Sequence, residues 1–111
     1  MKVLMKLGVL IILLLIVVPV SYARQDAVEK GKSIFAKKCS LCHGKEGEGK
    51  ASMARLYKVE MRHLASKEVQ AATDADWKNI ITKGKGKMRA VTLESSEIDE
   101  VVAFLRSIAK K

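Results

Sequence analysis

Two cysteines, Cys39 and Cys42, stand three positions apart, and a histidine, His43, follows the second directly. The 111 residues hold no further cysteine, and the one other histidine is His63. A bridge between Cys39 and Cys42 would close a tiny loop, and loop-closure entropy makes such a link a weak stabiliser. The pair therefore needs another purpose, and chain length sharpens the question. Residues 1–23 have the form of an export signal. Lys2 and Lys6 supply its positive start, and Leu7 to Val18 is an apolar run broken only by Gly8. Pro19 then ends the helix-forming stretch, and Ser21-Tyr22-Ala23 offers small residues for cleavage. The run is shorter than the roughly 20 residues that span a bilayer, so an uncleaved anchor is the competing reading. Neither reading makes this segment part of the fold. Residues 24–111 form one domain of 88 positions, with 19 basic and 12 acidic residues. A domain of that size buries little apolar surface and usually needs a staple or a cofactor.

Apolar spacing in residues 24–111 predicts helices joined by polar, glycine-bearing loops, with no strand-like alternation, repeat or low-complexity tract. Asp26 followed by Glu29 resembles a helix start, and Ala27, Gly31, Ile34 and Phe35 share one face of a helix leading into the cysteines. Gly44 to Lys50 reads as a flexible loop. Ala51 to Val69 is the least legible stretch, with room for a short helix through Met53, Leu56 and Tyr57. Thr73 and Asp76 predict a capped helix to Lys83, with Trp77, Ile80 and Ile81 on its apolar face and Gly84 as its stop. The last helix is the clearest. Ser96 and Asp99 are its expected cap, Ile98, Val101, Val102, Leu105 and Ile108 its buried stripe, and Lys110 and Lys111 its end.

The segment Cys39-Ser40-Leu41-Cys42-His43 is C-x-x-C-H, the attachment signature of c-type haem. Two cysteines on one helical turn can present both sulfurs to the two vinyl groups of one porphyrin, and the next residue is carried under the iron. A redox dithiol would be expected near a βαβ pattern, which is absent. Zinc would need four ligands, and His63 is the sole remaining Cys or His. A cytochrome iron takes methionine or histidine opposite its histidine, and methionine raises the potential. The candidates are Met53, Met61, His63 and Met88. Met88 follows Gly84-Lys85-Gly86-Lys87, a glycine-rich loop able to cross the far haem face. Met53 and Met61 read as packing residues, and His63 as a surface histidine.

With these residues in view, residues 24–111 resemble a class I cytochrome c, particularly the short single-domain bacterial members. The resemblance rests on Gly31 and Phe35, on C-x-x-C-H, on Gly84 to Met88, and on Glu97 to Leu105. It implies a small all-α cytochrome c-like fold of three or more helices around one covalently attached haem c. In that family the first and last helices cross, which sets Gly31 and Phe35 against Val101 and Phe104. Cys39 and Cys42 would carry the haem, with His43 and Met88 as axial ligands. Two departures stand out. Arg89 replaces the proline that usually follows the ligand methionine, and the proline loop whose carbonyl usually orients the ligand histidine is missing.

A haem with both axial positions filled by protein suits electron transfer and not catalysis. The expected function is that of an electron carrier between redox partners outside the cytoplasm, in the periplasm. The alternative is a haem-based sensor or a peroxidase-like enzyme with a labile Met88, and a third reading is a fixed subunit of a respiratory complex. Lys83, Lys85, Lys87 and Arg89 form either a solvated charge run or a collar that steers acidic partners. Export and the lack of any binding motif exclude nucleic acid as a partner. Membrane contact is expected only through partners or through an uncleaved N-terminal segment on the outer face of the inner membrane.

Overall fold

Helix α1 runs without interruption over Lys2–Lys38 in the computed structural model, which describes residues 1–110 apart from the side chains at positions 14, 16, 17 and 18. Two expectations are corrected here: Pro19 does not end the helix, and Asp26 does not start one. Proline removes one backbone donor, a loss that a long helix can carry at a single position. The helix therefore continues through Pro19, and Asp26 is left to pair with Lys30 at 3.1 Å within it. No helix among the described residues is long and apolar enough to cross a membrane, and the run Leu7–Val18 includes the four side chains that lie outside the description. Lys111 lies outside it too.

The remaining elements are α2 (Ser40–His43), α3 (Ala51–Tyr57), α4 (Lys67–Gln70), α5 (Asp74–Lys83) and α6 (Ser95–Ser107). The fold is all-α, and its one extended pairing among the described residues is the isolated bridge between Lys85 and Met88. The short helix expected through Met53 and Tyr57 is α3, whereas α4 carries too few apolar residues to betray itself by period. The cap on α5 is as expected, with Thr73 N–H donating to the Asp76 carboxylate and Asp76 N–H to the Thr73 hydroxyl, both at 3.1 Å. The cap on α6 is not. Glu94 N–H donates to the Glu97 carboxylate at 2.8 Å, two residues earlier than Ser96 and Asp99 would place it. Asp99 instead binds Lys78 at 2.6 Å and links α6 to α5.

The core is a cluster of Phe35, Trp77, Ile81, Val101, Val102, Phe104 and Leu105. Phe35 and Val101 are each 1% exposed, which puts the α1–α6 crossing at its centre. Gly31 makes that crossing possible. A Cβ there would collide with the Glu100 carbonyl and lie 3.0 Å from Phe104 Cβ. The rings of Phe35 and Phe104 meet beside it at 5.2 Å, tilted by 52°, a geometry aromatic pairs favour. Arg106, whose role was not legible in the sequence, ties α6 to the segment before α5. Its guanidinium donates to the Asp74 carboxylate at 2.8 Å and to the Gln70 and Ala72 carbonyls at 2.7 and 2.6 Å.

Candidate functional site

Cys39 ends α1, so the cysteine turn is a continuation of the helix that crosses α6. Its backbone N–H still donates to the Phe35 carbonyl at 2.9 Å, and His43 N–H donates to the Cys39 carbonyl at 3.0 Å. The following loop, expected to be flexible, is pinned along its length. Gly49 N–H reaches the His43 carbonyl at 2.6 Å, Lys50 N–H the Cys42 carbonyl at 2.9 Å, and Leu64 N–H the Gly47 carbonyl at 2.8 Å. These bonds hold the motif's backbone without the proline loop that the resemblance leads one to seek.

The Met88 loop is fixed just as closely. Lys85 and Met88 exchange backbone hydrogen bonds at 3.0 and 2.9 Å, closing a two-residue turn, and Val91 N–H donates to the Ile81 carbonyl at 2.8 Å. Gly84 opens the turn at φ +78°, where a Cβ would lie 2.6 Å from the Met88 carbonyl oxygen. Glycine is therefore demanded here on both conformational and steric grounds.

Cys39, Cys42, His43 and Met88 all line one cavity of about 820 Å³. A smaller one of about 130 Å³, walled by Phe35, Trp77 and Leu105, shares Cys39, His43 and Met88 with it. Met61 lines only the larger cavity, and Met53 and His63 line neither. His63 instead accepts a hydrogen bond from Ala65 N–H through Nδ1 at 3.1 Å, in a turn. Tyr57 and Val59 also line the larger cavity, a role their spacing in the sequence did not reveal.

The donors fit a c-type haem. The cavity volume falls within the roughly 300–1,000 Å³ typical of small-molecule and cofactor sites. Cys39 and Cys42 are free thiols, and burial, with the Cys42 charge adding to it, pushes Cys39 up to about 11. Among the described residues no group of three or more His, Cys, Asp and Glu side chains is placed to hold a metal ion by itself. Burial lowers the pKa of His43, favouring the neutral imidazole that binds metals. His43 Nδ1 is buried with no hydrogen-bond partner, a polar atom that the fold encloses at some cost, which marks the ring as one kept there for chemistry and not for packing.

Compared with known protein families, residues 26–105 match the model described as cytochrome c oxidase, cbb3-type, subunit III. Comparison with curated proteins gives no match. The matched span runs from α1 through the cysteine turn, the Met88 loop and most of α6, and it covers well over half of the chain. The chain accordingly belongs to this family of c-type cytochrome domains, and is a small haem-binding electron-transfer cytochrome.

Proposed function

We propose that this chain holds one haem c through thioethers to Cys39 and Cys42, with His43 and Met88 as the axial ligands, and passes single electrons between redox partners outside the cytoplasm. The observation that carries the reading is the convergence of all four side chains on one cavity from segments 45 residues apart. Haem c supplies reversible one-electron exchange at its iron.

The chain's own residues do the rest. Cys39 and Cys42 fix the cofactor at the end of α1, and neutral His43 presents a nitrogen donor from a turn whose carbonyls are tied to Gly49 and Lys50. Met88 offers a soft thioether from a rigid turn, which favours the reduced state. Phe35, Trp77 and Leu105 keep water from the inner wall. Were His43 and Met88 both to hold the iron, oxidation and reduction would need little rearrangement, and the reading is of a carrier and not an enzyme. Residues 24–111 form the cytochrome domain, and residues 1–23 export it to the periplasm. The family's description favours one further possibility, a place beside oxidase subunits at the outer face of the membrane.

Optical spectra of the purified protein in both oxidation states test this directly. The expected result is a low-spin, six-coordinate c-type spectrum and an intact mass raised by one haem. A mass showing only a disulfide, with no haem absorbance, would overturn it.

A further inference from the structure

Behind the smaller cavity lies a charge that the site's ligands and walls leave unused. Trp77 is 6% exposed and lines that cavity together with Cys39, His43 and Met88. The same indole carries the Arg106 guanidinium over its ring. Four hydrogen bonds fix that guanidinium in place. Nε donates to the Asp74 carboxylate at 2.8 Å and Nη2 to the Ala72 carbonyl at 2.6 Å. Nη1 donates to the Gln70 carbonyl at 2.7 Å and to its side-chain oxygen at 3.3 Å. The Gln70 amide in turn donates to the Leu64 and Leu105 carbonyls, both at 2.9 Å, and Leu64 and Leu105 also line the smaller cavity. The cation is thus anchored to the cavity wall itself.

The ion pair that Arg106 makes is lopsided. Its own side chain is 30% exposed, whereas that of Asp74 is 58% exposed. Asp74 also divides its field, since it acts on Lys78, which is bound to Asp99 at 2.6 Å. Water screens the carboxylate more than the guanidinium, so the pair presents a net positive field to the apolar wall. Oxidation of a haem adds one positive charge, and a wall of low dielectric transmits a field that opposes it. We infer that Arg106 tunes the reduction potential of the haem from behind Trp77, its fixed positive charge disfavouring the ferric state and holding the potential up. This inference rests on the proposed haem reading and adds to it a tuning residue outside the ligand set. Arg106 lines neither cavity, so it acts through space across the indole and not as a ligand.

The test is a set of midpoint potentials for the ferric–ferrous couple, measured on the haem-loaded protein by optical titration against a small-molecule couple. Arg106→Gln should move the equilibrium toward the ferric form by about threefold. Arg106→Lys keeps a charge and should fall between Arg106→Gln and the wild type. Asp74→Asn removes the opposing charge and should move the equilibrium the other way, toward the ferrous form, by about twofold. The opposition of signs separates a field from loosened packing. If Arg106 and Asp74 served packing alone, losing either would admit water to the inner wall, and water favours the ferric charge in both variants. Shifts of the same sign in Arg106→Gln and Asp74→Asn, or no shift in either, would overturn the inference. Should Arg106→Gln fail to fold, Asp74→Asn decides alone: a ferrous shift supports the inference, and no shift or a ferric one overturns it. A protein with no haem absorbance overturns the proposed function and this inference together, whereas same-sign shifts in a haem-loaded protein overturn the inference alone.

Discussion

The guanidinium of Arg106 lies 4.0 Å from the centroid of the Trp77 ring, while its nitrogens are bound by Asp74, Gln70 and Ala72. One side chain thus joins α6 to the indole of α5 and to the backbone that leads into α5. Its ion pair with Asp74 is partly exposed and contributes little by itself. The two hydrogen bonds to backbone carbonyls and the stack on Trp77 are the larger part.

Arg106→Ala should therefore lower stability by about 2 kcal/mol, read as a fall in denaturation midpoint. Arg106→Lys should recover less than half of that, because an ammonium cannot fork to Gln70 and Ala72 while lying flat on the indole. Full recovery by lysine would mean that charge alone matters.

Gly31→Val should be more severe. A side chain there runs into the Glu100 backbone and crowds Phe104, and overpacking a tight contact costs about 1–3 kcal/mol or more. The crossing must shift, so a thermal scan of the haem-loaded protein should show a clear loss. An unchanged midpoint would place the helix contact elsewhere.

Acid stability should depend on two carboxylates. Hydrogen bonding to Thr73 holds Asp76 below the usual carboxylate range, and backbone N–H groups at positions 48 and 46 do the same for Glu48. A depressed folded pKa means that the stabilisation is present above the unfolded pKa and is lost as pH falls through the folded one. Both contributions are thus intact at neutral pH and fade below about pH 4. Asp76→Asn should reduce stability at pH 7 and flatten the acid limb of the stability–pH curve, measured by urea unfolding at several pH values. An acid limb of unchanged steepness would show that Asp76 is not a contributor.

Met88→Ala should open the iron, lower the reduction potential and admit carbon monoxide to the ferrous protein rapidly, since a methionine ligand raises the potential. The weak red charge-transfer band of sulfur on ferric iron should disappear. Met53→Ala and Met61→Ala should keep it, because Met53 lines neither cavity and Met61 lines only the larger one, whereas His43 and Met88 line both. Loss of the band in Met61→Ala alone would reassign the ligand.

What the sequence made legible follows from the range of each interaction. The cysteine turn, the Thr73–Asp76 cap and the Gly84 stop are local devices, each complete within four or five residues, and all three stand where spacing put them. The apolar stripe of α6 was equally plain because its period is regular over three turns. Arg106 could not be read, since its partners lie 29 to 36 positions earlier and an arginine near a helix end looks like any surface charge. Tyr57 and Val59 were hidden for the same reason, because only the fold brings them to the cavity. Pro19 misled in the opposite direction: a local rule against proline in helices yielded to the helical preference of the long apolar segment around it.

The crossing of α1 and α6 also bears on how the chain assembles. Gly31 and Glu100 stand 69 positions apart, so the contact at the centre of the core joins the two ends of the domain. Closing a loop of that length costs about 4 kcal/mol in chain entropy before any packing repays it. Every segment that lines the cavity, from the cysteine turn to the Met88 loop, lies inside that loop. An all-helical protein of this size would ordinarily fold fast on local contacts, yet here the decisive contact is the least local one. The larger cavity is thus enclosed by a contact between the two ends of the domain, and a haem held at Cys39 and Cys42 as proposed would meet Met88 inside that closed loop and tie residues 39 and 88 together.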